Sequence, residues 1–393
     1  MKKIMMMAAA VMISLAANAQ TSPEAKAIKK LKTYAEVEAA LKAAETSMSP
    51  EDQAFCYNKL AEIANKECDA AETDYVNAQI KKDEAAMAEL SNKKVVAAYN
   101  AITNAKKAFA LSPKAVKIGG QLQSLRGALV NGGLDAFNSK NYSLAQNYFG
   151  AYVDAKSDPL FAKVDFSKET GFGQIAYYAG LASYFNKDYK AASSYADVSL
   201  ANPDTTVVND ALTLKVGILE EFAKSAQLDT ATYISEVKKL FTNYADNDAI
   251  FSKLYTLYEE SGNKAGAAEV LSNRLSANPT DAMANALKGQ SAQNDGKYED
   301  AIEAYGKVLA VKPDFLAAKL NLGVCYLTRA ANVIDANTDA RGFVKADKKD
   351  GIMADLNQAK KVLEECKAED PDRLQANWSY PLERVNYILE NIK

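Results

Sequence analysis

Proline, small and aromatic residues recur in the second half of the chain on a ruler of 34 residues, and this ruler restricts the fold more than any other feature. Pro279 and Pro313 stand 34 residues apart, as do Ala267 and Ala301. Counting from Ala282 as position 1, Gly289 falls at 8, Ala292 at 11, Ala301 at 20, Tyr305 at 24 and Pro313 at 32. Counting from Leu316, Leu322, Gly323 and Tyr326 fall at 7, 8 and 11. Small residues at 8 and 20 let two helices cross with their backbones close together, and large ones at 11 and 24 fill the space beside the crossing. Proline ends the second helix and sets the turn into the next unit. One such pair cannot bury its apolar face alone, whereas a stack of them can. At 393 residues the chain is also longer than a single core usually serves.

These positions resemble the tetratricopeptide consensus, a repeat of two antiparallel helices. Weaker copies lie upstream. The unit from Asp248 has Leu254, Tyr258, Gly262, Ala267, Leu271 and Pro279 in phase, with Tyr255 at the small position and Arg274 at one that is usually apolar. Gly133, Ala136, Tyr142, Ala145 and Phe149 form another copy, and Gly180, Tyr189, Ala192 and Ala196 a third. Between Ala145 and Ala192 the spacing stretches to 47 because of the segment Asp158 to Phe172. A further helix pair is expected over about Val207 to Tyr244. Thr21 to Ser112 is helical in pattern but keeps the phase poorly. The expected organisation is therefore diverged N-terminal hairpins over 20–118, then a repeat array over 119–393 with an insertion at 337–354 and a C-terminal capping helix near Trp378. The fold class is all-α, a right-handed superhelical solenoid of antiparallel helix pairs continuous from about Thr21 to Lys393. The chain resembles exported tetratricopeptide proteins of Bacteroidetes-type bacteria, including a last unit whose first helix ends near Ala336 and whose second begins near Asp355. That resemblance implies a binding or scaffolding protein in the periplasm.

Composition removes several function classes. With 48% apolar and 25% charged residues the chain is expected to fold. A net charge of −3 provides no overall basic field for nucleic acid. Histidine is absent, and with it the commonest metal ligand and the usual general base near neutral pH. No enzyme activity, cofactor or metal is expected. Asp335, Asn337 and Asp339 match positions 1, 3 and 5 of a calcium loop, but Ala340 and Ala346 stand where glycine and glutamate belong, so a solvated loop is expected. Cys56 and Cys68 sit about 18 Å apart along one helical run and cannot bridge. Cys325 and Cys366 are read as buried thiols, bridged only if their helices pack as a hairpin. Lysine pairs such as Lys93-Lys94, Lys106-Lys107, Lys238-Lys239 and Lys360-Lys361 read as solvated helix faces.

On the first helix of each unit, positions 2, 5, 9 and 12 face the concave side in the tetratricopeptide pattern. The resemblance therefore implies a partner-binding wall that includes Thr256 and Glu259, then Met283, Gln290 and Gln293, then Leu320, Val324 and Leu327, joined by the adjacent Asn294 and, at position 6, Asn321. Read in order, the wall passes from small and polar, through amide, to apolar. Amide side chains donate and accept at once, which suits the main chain of an extended peptide. An equal alternative is that the C-terminal helix covers the apolar members. The expected function is a non-catalytic scaffold that binds a protein or peptide of the cell envelope. The second reading, a helical glycan-binding protein or glycoside-processing enzyme, is disfavoured by a single tryptophan and by the solenoid period.

Lys2 and Lys3, the apolar run Ile4 to Leu15 and the small-x-small triplet Ala17-Asn18-Ala19 compose a secretory leader. The apolar run is shorter than the roughly 20 residues a membrane span requires, and no cysteine near the cleavage site accepts a lipid. Export to the periplasm is expected, with release outside the cell second. N-terminal sequencing of the protein recovered from the envelope fraction should begin at Gln20, and an intact Met1 terminus there would overturn the assignment.

Overall fold

The computed structural model describes residues 21–166, 169–201 and 205–392, so the leader lies outside the described residues. The described chain is helical, with one isolated β-bridge, Thr338 to Val344. It divides into two compact units after Ser225.

Unit 1 holds α1 (Pro23–Ile28), α2 (Tyr34–Ala44), α3 (Pro50–Lys81), α4 (Glu84–Leu111), α5 (Leu122–Asn138), α6 (Tyr142–Asp154), α7 (Phe172–Phe185), α8 (Tyr189–Leu200) and α9 (Thr205–Lys224). Where diverged hairpins were expected, two short helices precede one long antiparallel pair, α3 with α4. Alanines line the seam of that pair, Ala61 and Ala64 on one side and Ala97, Ala98, Ala101 and Ala105 on the other, all buried. Small side chains keep the two backbones close over many turns. Starts are signalled locally: Ser49 caps α3 with Pro50 behind it, and Thr33 with Glu36 forms a capping box on α2.

The segment that stretches the repeat spacing is pinned to the core by a buried cation. Arg126 on α5 is 3% exposed, pairs with Glu169 at 2.9 Å and donates to the Tyr152 carbonyl at 2.8 Å. Its guanidinium lies over the rings of Tyr152 and Phe166. The Tyr152 hydroxyl donates to Glu169 at 2.6 Å, so the carboxylate is held by two donors. Phe161, in a short 3₁₀ turn of the same segment, is 1% exposed.

Unit 2 holds α10 (Thr230–Asn243), α11 (Asp248–Glu260), α12 (Lys264–Ala277), α13 (Ala282–Asn294), α14 (Tyr298–Val311), α15 (Leu316–Asn337), α16 (Ala346–Glu369) and α17 (Ser379–Asn391). The pairs α11/α12, α13/α14 and α15/α16 pack as hairpins. One turn recurs between paired helices in both units. Lys140, Lys187, Gly262 and Gly296 all adopt positive φ, and the residue after each donates its amide back to a carbonyl five residues earlier, as Lys297 does to Ala292 at 2.8 Å. This is the left-handed helix stop that glycine adopts without strain.

The crossing explains the ruler. Gly289 and Tyr305 are sixteen residues apart, as are Gly133 and Phe149, and each glycine lies under its partner's ring. A Cβ on Gly289 would stand 2.8 Å from Tyr305, and one on Gly133 would stand 2.5 Å from Phe149. Gly323 repeats the arrangement, with Leu363 at 2.7 Å.

The last pair differs from its expected boundaries. Its second helix begins at Ala346, nine residues before the expected Asp355, and only 338–345 remain as a connection. The charged run around Lys348 and Lys349 reads as loop, yet Ile352, Leu356 and Ala359 recur at helical spacing and are all buried. Asp335, Asn337 and Asp339 do not converge. Asn337 donates to the Val333 carbonyl, while Asp339 accepts from the Arg341 and Phe343 amides. No group of side chains able to hold a metal occurs among the described residues. All four cysteines are buried free thiols. Burial pushes Cys325 up to about 12 and Cys366 up to about 11, so both stay protonated.

Replacing Gly289 or Gly323 by leucine should cost about 1–3 kcal/mol by overpacking the crossing. Gly306, whose added Cβ meets nothing within 4 Å, should instead gain about 0.5–1 kcal/mol as alanine. Thermal unfolding checks both signs, and a Gly289→Leu variant melting with the wild type would remove the crossing as the defining contact.

Candidate functional site

The first helices of successive pairs, α11, α13 and α15, neighbour one another in unit 2, and α17 continues the row after α15. Ion pairs brace the last hairpin at both ends. Lys319 meets Glu369, and Arg329 grips Asp355 with two donors at 2.6 and 2.8 Å.

The residues expected on the concave wall have different environments. Thr256, Gln290 and Asn294 are exposed, and the amides of Gln290 and Asn294 make no side-chain bond among the described residues. Glu259 is half-buried and paired with Lys264. Met283, Leu320 and Val324 are half-buried. Gln293 and Asn321 are held from inside by one group: the Tyr305 hydroxyl donates to Gln293 Oε1 at 3.0 Å and also bonds the Asn321 side chain. Burial raises the Tyr305 pKa, so that hydroxyl keeps its proton. Leu327 is a core residue rather than a wall residue. It is 6% exposed, in a cluster with Trp378, Leu382 and Val385, because the apolar face of α17 covers it.

Beyond Leu327 the wall continues, because α15 runs further than a repeat helix requires. A cavity of about 670 Å³ opens between the end of α15, the Thr338–Val344 connection and α17. Ala331, Ile334, Val344 and Ile388 give it apolar walls. Tyr380 and Tyr387, 65% and 67% exposed, stand on α17 with Arg384 between them. Arg384 makes no ion pair among the described residues. The sequence reading missed this site, although the spacing of Tyr380, Arg384 and Tyr387 places them on the face of α17 opposite Leu382, Val385 and Leu389.

A single carboxylate positions α17. Asp370 is 5% exposed and accepts the amides of Leu374, Gln375 and Ala376 at 2.8–2.9 Å, while its carbonyl receives the Trp378 indole N–H at 2.7 Å. Burial pushes this carboxyl up, but the Gln375, Ala376 and Leu374 amides outweigh it and hold the group below the ordinary carboxylate value.

The helix pairs are of the tetratricopeptide kind. In unit 2 they keep the 34-residue period, the left-handed turn recurs at Gly262 and Gly296, and a glycine stands at the crossings of α13/α14 and α15/α16, where α11/α12 has Tyr255. Neither a protein-family model nor a curated protein matches the chain. Among solved structures the chain is similar to a TPR repeats protein from Bacteroides fragilis, at 20% identity over 67% of this chain and 98% of that one, with a TM-score of 0.31. It is similar to an IFIT1 monomeric mutant with Gppp-AAAA, at 12% identity over 95% and 79% of the two chains and a TM-score of 0.37. It is also similar to the P58(IPK) TPR domain, at 15% identity over 82% and 98%, with a TM-score of 0.23.

The lowered Asp370 pKa sets a sign. Its contribution is complete above the unfolded carboxylate value of about 3.9 and is lost as pH falls through the lower folded value. Protection of the α17 amides, relative to their intrinsic exchange at each pH, should therefore fall on acidification through that range, and Asp370→Asn should show the reduced protection already at neutral pH. Unchanged α17 protection in Asp370→Asn would show that the turn does not depend on the carboxylate.

Proposed function

We propose that the protein is a non-catalytic scaffold, exported to the periplasm, whose first-helix wall in unit 2 receives a peptide segment of a cell-envelope protein. The observation that carries this reading is the cavity at the end of α15. It joins an apolar floor of Ala331, Ile334 and Ile388 to two exposed tyrosines and an arginine that makes no ion pair among the described residues. Exposed tyrosine and arginine around an apolar recess are the composition that dominates binding energy at protein interfaces. Gln290 and Asn294, on the neighbouring first helix α13, supply main-chain partners for a segment extending from the cavity.

In this reading Tyr305 is an internal brace. By holding Gln293 and Asn321 it orders the amides of the wall before a partner arrives, which reduces the entropy lost on binding. The export part rests on the leader, and the absence of a helix long and apolar enough to cross a membrane among the described residues is compatible with it.

Crosslinking in the native envelope tests the reading. An Ile334→Asp, Tyr387→Ala variant that keeps its melting temperature should lose the attached partner, at a cost of about 2 kcal/mol or more in binding, and Gln290→Ala should weaken it less. Recovery of every partner at wild-type yield would overturn the site, and tight binding or hydrolysis of glycans would overturn the class.

A further inference from the structure

Unit 1 carries a second surface, independent of the wall in unit 2. A recess of about 510 Å³ lies between the loop joining α1 to α2 and one face of α3. Lys29, Lys30 and Lys32 stand on the loop, and Lys59 and Lys66 on the helix. Leu31 and Ile63 provide half-buried apolar walls, and Glu67 is the one acid that lines it.

What sets this recess apart is that several lysines without an ion pair are gathered at one place. In each lysine pair that the sequence suggested as a solvated face, at least one member meets an acid or a ring. Lys94 pairs with Glu72, Lys106 with Asp158 and Lys360 with Glu364, Lys107 lies over Tyr57, and Lys239 pairs with Glu236. Around the recess, Lys29, Lys30, Lys32 and Lys66 form no ion pair among the described residues. Lys59 is committed differently, donating to the Lys29 carbonyl at 3.1 Å, which ties the loop to α3. The loop is fixed at both ends as well. The amides of Lys29, Lys30 and Leu31 return to the last turn of α1, and Thr33 caps α2. Like charges are thus held together in a chain whose net charge is −3, a local positive potential that a complementary anion relieves.

The shape selects among anions. Interfacial membrane binding needs bulky apolar side chains projecting from the basic face, and here Leu31 and Ile63 are recessed. Single-stranded nucleic acid needs aromatic platforms or arginine for stacking, and the residues that line this site include neither. Lysines of the loop and of α3 that share one recess with Leu31 and Ile63 match a peptide carrying carboxylates next to an apolar residue. We propose that the recess docks an acidic segment of a partner protein, with carboxylates on Lys29, Lys30, Lys32 and Lys66 and an apolar side chain against Leu31 and Ile63.

Fluorescence anisotropy of the whole purified chain with a labelled Glu-Glu-Leu repeat peptide provides the test. Saturable binding is expected at low salt, weakening about ten-fold or more once the Debye length falls to about 8 Å. Lys29→Glu, Lys30→Glu, Lys32→Glu should weaken it about ten-fold or more, as should Lys66→Glu separately, while arginine at the same loop positions retains it. All substituted side chains are exposed, and an unchanged melting temperature confirms each fold. Absence of saturable binding, or equal binding by the glutamate variants, overturns the proposal. So does a wild-type chain that sediments with phosphatidylglycerol vesicles, or binds an oligothymidylate, more tightly than it binds the peptide. Failure of the wall in unit 2 to crosslink would leave this result untouched, because none of its residues is altered.

Discussion

Two of the paired helices, α5/α6 and α13/α14, are built on the contact between a glycine in the first helix and the large side chain sixteen residues later. Tyr305 lies against the backbone of Gly289 at a separation no Cβ tolerates, and Phe149 does the same over Gly133. Close approach of the backbones buries the ring, and burial of the ring holds the crossing. A contact worth about 1–3 kcal/mol when overpacked is a large share of a domain stability of about 5–15 kcal/mol. The left-handed turn follows from the same requirement, since the second helix must reverse within a few residues to bring its sixteenth position back over the glycine. Gly262 and Gly296 meet that demand without strain, whereas Lys140 and Lys187 meet it against the preference of L-residues.

What was legible in the sequence follows from this contact. A rule that involves two residues at a fixed separation leaves a periodic trace, so the pairs from Asp248 onward, their turns and the buried cysteines were readable. The terminal helix was readable too, because Leu382, Val385 and Leu389 carry a helical period. The beginning of α16 was not. Its first turns are charged and solvated on most sides, and a lysine-rich run carries the same composition in a loop as in an exposed helix. Nor was the role of Arg126, whose partners Tyr152 and Glu169 lie 26 and 43 residues away and belong to no period.

The wall illustrates a second limit. The consensus phase nominates first-helix residues by direction alone, and direction does not say what lies in front of them. Leu327 points where the phase requires and is covered by α17, while Tyr380 and Tyr387 stand exposed on a helix outside the repeat. Of the apolar members nominated on α15, Leu327 is withdrawn into the core, while Leu320 and Val324 stay half-buried.

Both candidate surfaces lie where the repeat is interrupted or has not begun, and a physical reason connects them. Inside a regular unit, each large side chain is committed to a crossing and each turn to a helix stop, so few positions are free to carry a recognition chemistry. The lengthened α15 and the loop before α2 escape that commitment. At the first, the end of α15 packs on α16 and α17 but leaves Ala331 and Ile334 lining an open recess with Ile388. At the second, lysines are gathered on a short loop that is fixed by Lys59 and by the caps of its flanking helices. A net charge of −3 conceals the second completely, because potential at a surface depends on how charges are placed and not on their sum. Both proposed docking surfaces thus stand at departures from the 34-residue ruler.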